Sequence, residues 1–254
     1  MPSFAGSTAI VTGGGSGIGE ATARLLAESG ANVVVCDLSE SEAERVAAEI
    51  VMGGGRAIGL GCDVSDEKAV IETVRRAGEI AKTANLLVNA AGVGAQTSLL
   101  NTTTVEFLEP LHVNLVGTFL MCREAARSMI SSGVSGRILN ISSPQAGVGV
   151  PLASAYSASK GGVEAFTRSI AIELAPYGIT ANVLRPGPTW SKMTSNAWSD
   201  RRVQKRVSAR VPLSRIAGPP EIANAALFLL SDQAGYCTGA TLDVDGGYGV
   251  DGRI

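Results

Sequence analysis

Tyr156 and Lys160 stand four positions apart in the stretch Ala155-Tyr156-Ser157-Ala158-Ser159-Lys160-Gly161. On a helix that spacing puts both side chains on one face. A phenol in water gives up its proton near pH 10, so a tyrosine that exchanges protons at neutral pH needs a fixed positive charge nearby to favour the phenolate. Lys160 is placed to be that charge. The same spacing also occurs on ordinary solvated helices, so the chemistry depends on what the rest of the chain sets around the pair.

Residues 8–12 form a short apolar run that stops at Gly13-Gly14-Gly15-Ser16-Gly17-Ile18-Gly19, after which residues 20–29 take up helical periodicity. Strand, glycine turn and helix in that order let backbone N–H groups and the positive end of a helix meet a pyrophosphate without Cβ atoms in the way. A second buried strand, 31–36, ends in Asp37. An acid there suits the two ribose hydroxyls of an adenosine and repels a 2′-phosphate; Ser16 and Leu38, where a phosphate-binding base would sit, are uncharged. The competing role for Asp37 is to cap the helix that begins near Ser39. A third strand, 56–62, leads into Asp63-Val64, where Asp63 either accepts from an adenine amino group or caps the helix 67–82. A fourth strand, 85–89, closes on Ala90-Ala91-Gly92, small enough for the chain to pass close to a ribose. Strands alternating with helices predict a parallel sheet covered on both faces.

Residues 104–131 read as one long helix containing His112 and Asn114. An asparagine in an apolar helix needs hydrogen-bond partners, and a held water is one; His112 reads as an ordinary helix or interface residue. The fifth strand, 137–141, ends in Ser142-Ser143 at the sheet edge where ligands of open α/β folds collect. Residues 189–212 are the least regular segment, and they hold Trp190, Met193 and Trp198. In a chain with 4% aromatic residues, two tryptophans there point either to an apolar or ring-bearing substrate or to packing of a lid on the body. Gln145, two residues past Ser143, is expected in the same cleft. Residues 219–231 and 240–244 supply a last helix and strand, and the glycine-rich tail 246–252 is expected to reach a neighbouring subunit.

The net charge of −2 comes without a lysine/arginine block, which argues against nucleic acid or an anionic membrane as a partner. Four dispersed cysteines, no CxxC pair and one histidine argue against a metal site. With 45% hydrophobic and 17% charged residues, the composition leaves room for surface buried between subunits. The absence of a signal-like start and of a long apolar run makes a soluble cytoplasmic protein the expectation.

The ordered set Thr12-Gly13-x-x-x-Gly17-Ile18-Gly19, Asp63-Val64, Asn89-Ala90-Ala91-Gly92, Asn114, Asn140-Ile141-Ser142-Ser143, Tyr156-x-x-x-Lys160, Pro186-Gly187 and Val244-Asp245-Gly246-Gly247 resembles the short-chain dehydrogenase/reductase family, in its compact single-domain branch. The resemblance implies one Rossmann-like, doubly wound α/β domain over residues 1–254, a seven-stranded parallel sheet ordered 3-2-1-4-5-6-7 and a substrate lid at 189–212. It implies a homotetramer built partly on the helices 104–131 and 154–177. It makes Tyr156 the general acid/base, Lys160 its pKa-lowering neighbour and ribose ligand, Ser143 the donor to the substrate oxygen and Asn114 the holder of a relay water. Pro186, Gly187, Thr189 and Ser191 are then expected around a nicotinamide carboxamide. Substrate contacts are expected from Ser143, Gln145, Tyr156, Trp190 and Met193. Two departures stand out: Asn89-Ala90 replaces a pair of asparagines, and Ser191, with Pro188 and Trp190 beside it, replaces a threonine.

The expected activity is NAD(H)-dependent interconversion of a secondary alcohol and a ketone, with NADP disfavoured by Asp37. A 3-oxoacyl-[acyl-carrier-protein] reductase is the nearest alternative, disfavoured by Asp37 and by the lack of bases at 131–136 and 175–178 that an acidic carrier would require. A non-catalytic NAD-sensing protein is the other.

Overall fold

The computed structural model describes residues 2–80, 83–195 and 198–250, without the side chains of residues 79, 192 and 193. The end of the expected helix 67–82, and the last residues of the 246–252 tail, lie outside the described residues. Seven parallel strands run in the order β3-β2-β1-β4-β5-β6-β7, as the resemblance implies. They are β1 (Thr8–Thr12), β2 (Asn32–Asp37), β3 (Arg56–Gly61), β4 (Leu86–Asn89), β5 (Gly136–Ile141), β6 (Ile179–Pro186) and β7 (Thr241–Val244).

A parallel sheet is covered on both faces, so its central strands are apolar throughout. In β1 and β4 every residue is buried. Ala9 and Val11 point to the layer of α1 (Gly17–Glu28), α2 (Glu40–Met52) and α9 (Pro219–Leu230), where Leu26, Val46 and Leu227 meet them. Ile10 points the other way, to α3 (Glu67–Ile80), α5 (Gly117–Ser131) and α6 (Ser154–Leu174). The order reverses between β1 and β4, and at such a switch the loops beyond the strands' carboxyl ends part to leave a crevice. Both the glycine turn and the 89–92 segment lie there.

The helix expected at 104–131 is not continuous. It starts as α4 (Thr104–Pro110), capped by a reciprocal Thr103–Glu106 box, passes through six π-helical residues, Leu111–Val116, and resumes as α5. Pro110 has no N–H to offer the preceding turn, and the winding loosens directly after it. Likewise α6 stops at Leu174 and a 3₁₀ turn, Ala175–Tyr177, replaces its expected end, since Pro176 cannot continue the ladder. The 189–212 segment holds two short helices, α7 (Lys192–Ser195) and α8 (Arg201–Ala209). Among the described residues no helix is long and apolar enough to cross a membrane.

Candidate active site

The glycine turn is closed by contacts that leave no space for side chains. A Cβ on Gly13 would fall 2.7 Å from Ala91 N, and one on Gly19 would fall 2.2 Å from Gly13 O. Gly13 and Gly17 also have positive φ, 62° and 57°, which side chains resist. Ser16 takes the N-cap position of α1 without a capping side-chain bond, so the first-turn N–H groups, including those of Ile18 and Gly19, remain for an anion. Ser191 leans over this turn, its Cβ 3.3 Å from where a Gly17 Cβ would be.

Asp37 grips the turn: Gly15 N donates to its Oδ2 at 3.0 Å and Ser39 N to its Oδ1 at 3.1 Å. Leu38 beside it is largely exposed. Asp63 is exposed and accepts from Ser65 N at 2.9 Å and Ser65 Oγ at 2.7 Å, while the start of α3 is capped by Asp66, which accepts from Lys68 N at 2.8 Å. The capping alternative for Asp63 is thereby removed; Val64 is buried below it. Asn89 turns its amide inward, donating to Asn140 Oδ1 at 2.8 Å, so that only its backbone and that of Ala90 face the crevice side of the turn. Gly187 passes β7's end so closely that a Cβ would lie 2.5 Å from Asp245 Cα; Thr189 donates to Gly187 O at 2.9 Å. The Ser191 hydroxyl accepts from Thr194 N at 3.3 Å. These features fit a dinucleotide: a side-chain-free cradle, free N–H groups at a helix start and an acid at the end of β2.

At the other end of the crevice α6 presents its inner face to the sheet. The buried positions Ala155, Ser159, Lys160, Val163, Glu164, Thr167 and Ala171 recur at helical spacing, and the polar ones among them are tied down. Ser159 Oγ receives Asn114 Nδ2 at 3.0 Å, and Thr167 Oγ1 receives Asn140 Nδ2 at 2.8 Å. Lys160 Nζ donates to Ile141 O at 2.8 Å and lies 5.9 Å from the centre of the Tyr156 ring. The Ser143 hydroxyl stands beside the Tyr156 phenol and favours its ionised form. A Cβ on Gly92 would come within 3.5 Å of Lys160 Nζ and 3.1 Å of Asn114 Oδ1. Tyr156, Lys160, Ser143, Asn114 and Gly92 are therefore brought together.

Burial lowers the Lys160 ammonium to about 8. Burial likewise raises the Tyr156 phenol, and the Ser143 hydrogen bond offsets part of that. Asn114 is fully buried, and its amide is satisfied within the protein, by Val93 N at 2.8 Å, Val93 O at 3.0 Å and Ser159.

Gln145 sits beside Ser143, and its Oε1 is buried without a partner among the described residues. Trp190 and Trp198 stack edge to face at 5.4 Å, Trp198 nearly buried and Trp190 38% exposed. Met193 belongs to α7, but its side chain is not among the described ones. His112 is exposed on the π segment. No group of histidine, cysteine and carboxylate side chains suited to a metal ion occurs among the described residues.

Sequence reasoning missed the pair behind the site. Glu164, one turn beyond Lys160, takes a bidentate bond from Arg185 (Nε and Nη2, both 2.6 Å) and also accepts from Ser142 Oγ at 2.8 Å. Its signal was present as a charge on the buried face of α6, where a carboxylate requires a partner.

A sequence profile described as Enoyl-(Acyl carrier protein) reductase matches residues 13–249. The chain is 40% identical to a cis-4-hydroxycyclohexanecarboxylate dehydrogenase of Sinomonas cyclohexanicum, covering 96% of this chain and 97% of that protein. It is 37% identical to a 3-oxoacyl-[acyl-carrier-protein] reductase of Synechocystis sp., over 97% of this chain and 98% of the relative. Among solved structures it superposes on a short-chain type dehydrogenase/reductase from Mycobacterium marinum with a TM-score of 0.92 and 30% identity, covering 97% and 96% of the two chains.

Proposed function

The chain belongs to the short-chain dehydrogenase/reductase family, and from that premise we propose that it interconverts a secondary alcohol and a ketone with NAD(H). The observation that carries this is the buried Lys160 ammonium, 5% exposed and paired with no carboxylate among the described residues, 5.9 Å from the centre of the Tyr156 ring. An unpaired buried cation is costly, and an adjacent hydroxyl that becomes anionic during turnover is a reason to keep one.

The substrate oxygen is taken between Ser143 Oγ and Tyr156 Oη. In the oxidative direction Tyr156 removes the hydroxyl proton, and in the reductive direction it returns one; Ser143 donates to the oxygen as charge builds on it. Lys160 offsets the phenolate and binds a ribose hydroxyl, and Asn114 holds a relay water. A bound nicotinamide supplies the hydride acceptor or donor at C4. Gly13, Ser16, Gly17, Ile18 and Gly19 would hold the pyrophosphate, Asp37 and Leu38 the adenosine ribose, and Asp63 and Val64 the adenine. Asn89, Ala90, Gly92, Tyr156 and Lys160 would meet the nicotinamide riboside, and Pro186, Gly187, Thr189 and Ser191 the carboxamide. A homotetramer in the cytoplasm is the assembly and location that go with this function.

The half-exposed Trp190 and the hydroxycyclohexane named for the Sinomonas relative support a ring-bearing alcohol as the first substrate class to try. A carrier-protein thioester is the second reading, supported by the name of the Synechocystis relative. A screen of both classes, following reduced-nicotinamide absorbance, separates them. Tyr156→Phe is expected to lower turnover by about 10³-fold while NADH binding stays nearly intact. Undiminished turnover in Tyr156→Phe would overturn the assignment, and no turnover on any alcohol or ketone by the unmodified protein would favour the NAD-sensing alternative.

A further inference from the structure

Gly15, at the tip of the glycine turn, is held through both of its polar groups. Its N–H donates to Asp37 Oδ2 at 3.0 Å, and its carbonyl accepts from Arg45 Nη2 at 3.0 Å. Arg45 reaches the turn from α2 and meets three carboxylates on the way: Glu42 Oε2 at 3.0 Å, Glu20 Oε2 at 3.2 Å and Glu49 Oε1 at 3.2 Å. Arg24 shares Glu20, at 2.7 Å, and Glu49. Hydrogen bonds donated to Glu20, Glu42 and Glu49 hold the Arg45 guanidinium above its ordinary range. Glu42 stands on the same rim as Asp37, since a Cβ on Gly15 would lie 2.8 Å from both Asp37 Oδ2 and Glu42 Cβ.

We propose that Arg45 is a positioning residue for the adenosine end of the dinucleotide and that Glu42, by occupying Arg45, is a second determinant of the choice between NAD and NADP. The proposal rests on the NAD(H) function given above. A 2′-phosphate brought to Asp37 meets two carboxylates on one rim, and the cation that touches the turn is engaged elsewhere. Guanidinium donors suit phosphate when they are free to turn to it. Removing the Asp37 charge alone lifts one repulsion but leaves Arg45 on Glu42. Removing both frees the Nε donor, which Glu42 takes, and loosens Nη2, which keeps Gly15 O and Glu20, beside a rim that no longer repels an anion.

The test is fluorescence titration of NADH and NADPH against the unmodified protein, Asp37→Ala, Glu42→Gln, the double variant, and the double variant carrying Arg45→Gln or Arg45→Lys, with thermal melting as the check on folding. The double variant is expected to bind NADPH about tenfold more tightly than Asp37→Ala does. Arg45→Gln should cancel that gain, and Arg45→Lys should keep part of it. A merely structural Arg45 would weaken both dinucleotides together and leave their ratio unmoved, which overturns the proposal, as does a gain that survives Arg45→Gln. Failure of the NAD(H) premise is seen separately, in an unmodified protein that binds no NADH or prefers NADPH.

Discussion

Ser142 and Ser143 are neighbours in the chain and serve opposite sides of β5's end: the Ser143 hydroxyl acts on the Tyr156 phenol, favouring its ionised form, whereas Ser142 Oγ donates to Glu164 Oε1 at 2.8 Å. Extended backbone alternates its side chains, so two serines in sequence cannot share one task. Ser143→Ala is expected to cut kcat by about 10²-fold with little change in melting temperature. Ser142→Ala should lose about 1 kcal/mol of stability and keep most of its turnover. Equal kinetic losses in the two variants, measured by steady-state assay, would remove the distinction.

Lys160 gives a pH signature to stability. Its folded-state pKa, about 8, lies below its ordinary 10.5, so between those values the unfolded chain holds a proton that the folded chain has released. Stability therefore rises with pH across that window, and the full penalty of the buried charge applies below it, on the order of 3 kcal/mol. Lys160→Met should flatten the rise in urea-denaturation free energy between pH 8 and pH 10, and should be the more stable protein at pH 7 while losing activity. An unchanged pH slope in the variant would place the titration elsewhere.

The Glu164–Arg185 pair predicts an asymmetric response. Glu164 is nearly buried, and Arg185 is a quarter exposed and also 3.4 Å from Asp243. Glu164→Gln leaves the guanidinium facing a neutral amide and should cost about 3 kcal/mol. The double change Glu164→Gln with Arg185→Met removes the stranded charge and should recover part of the loss. Denaturant midpoints at constant slope measure both.

Gln145 carries a buried amide oxygen with nothing bonded to it among the described residues. An unsatisfied buried acceptor costs about 1–3 kcal/mol, and a substrate hydroxyl beyond the reacting one can satisfy it. Gln145→Leu is expected to raise KM several-fold for substrates with a second hydroxyl and to leave KM for plain ketones unchanged. A uniform rise across both series would assign Gln145 to packing.

Much of this site was legible in the chain because its parts carry local marks. The runs at 8–12 and 85–89 read as strands since both faces of a central parallel strand are largely apolar, and the glycines between strand and helix mark positions where a Cβ has nowhere to go. The sixth strand was not located from the sequence, because β6 contains Asn182 and Arg185, whose burial makes sense only with distant partners: Asn182 donates to Cys237 O at 2.8 Å, and Arg185 pairs with Glu164. The inward turn of Asn89 was hidden for the same reason, its partner being Asn140 on the adjacent strand.

The wide-wound stretch Leu111–Val116 has a consequence for how this chain can change length. An α-helix advances about 100° per residue, so the number of residues between Pro110 and Gly117 fixes the azimuth of α4 against α5. Excising a single residue there would swing the two by about a quarter of a circle and unseat Asn114 from Val93 and Ser159 with every neighbouring side chain retained. At exposed His112 and Val116 a substitution is tolerable where a deletion is not.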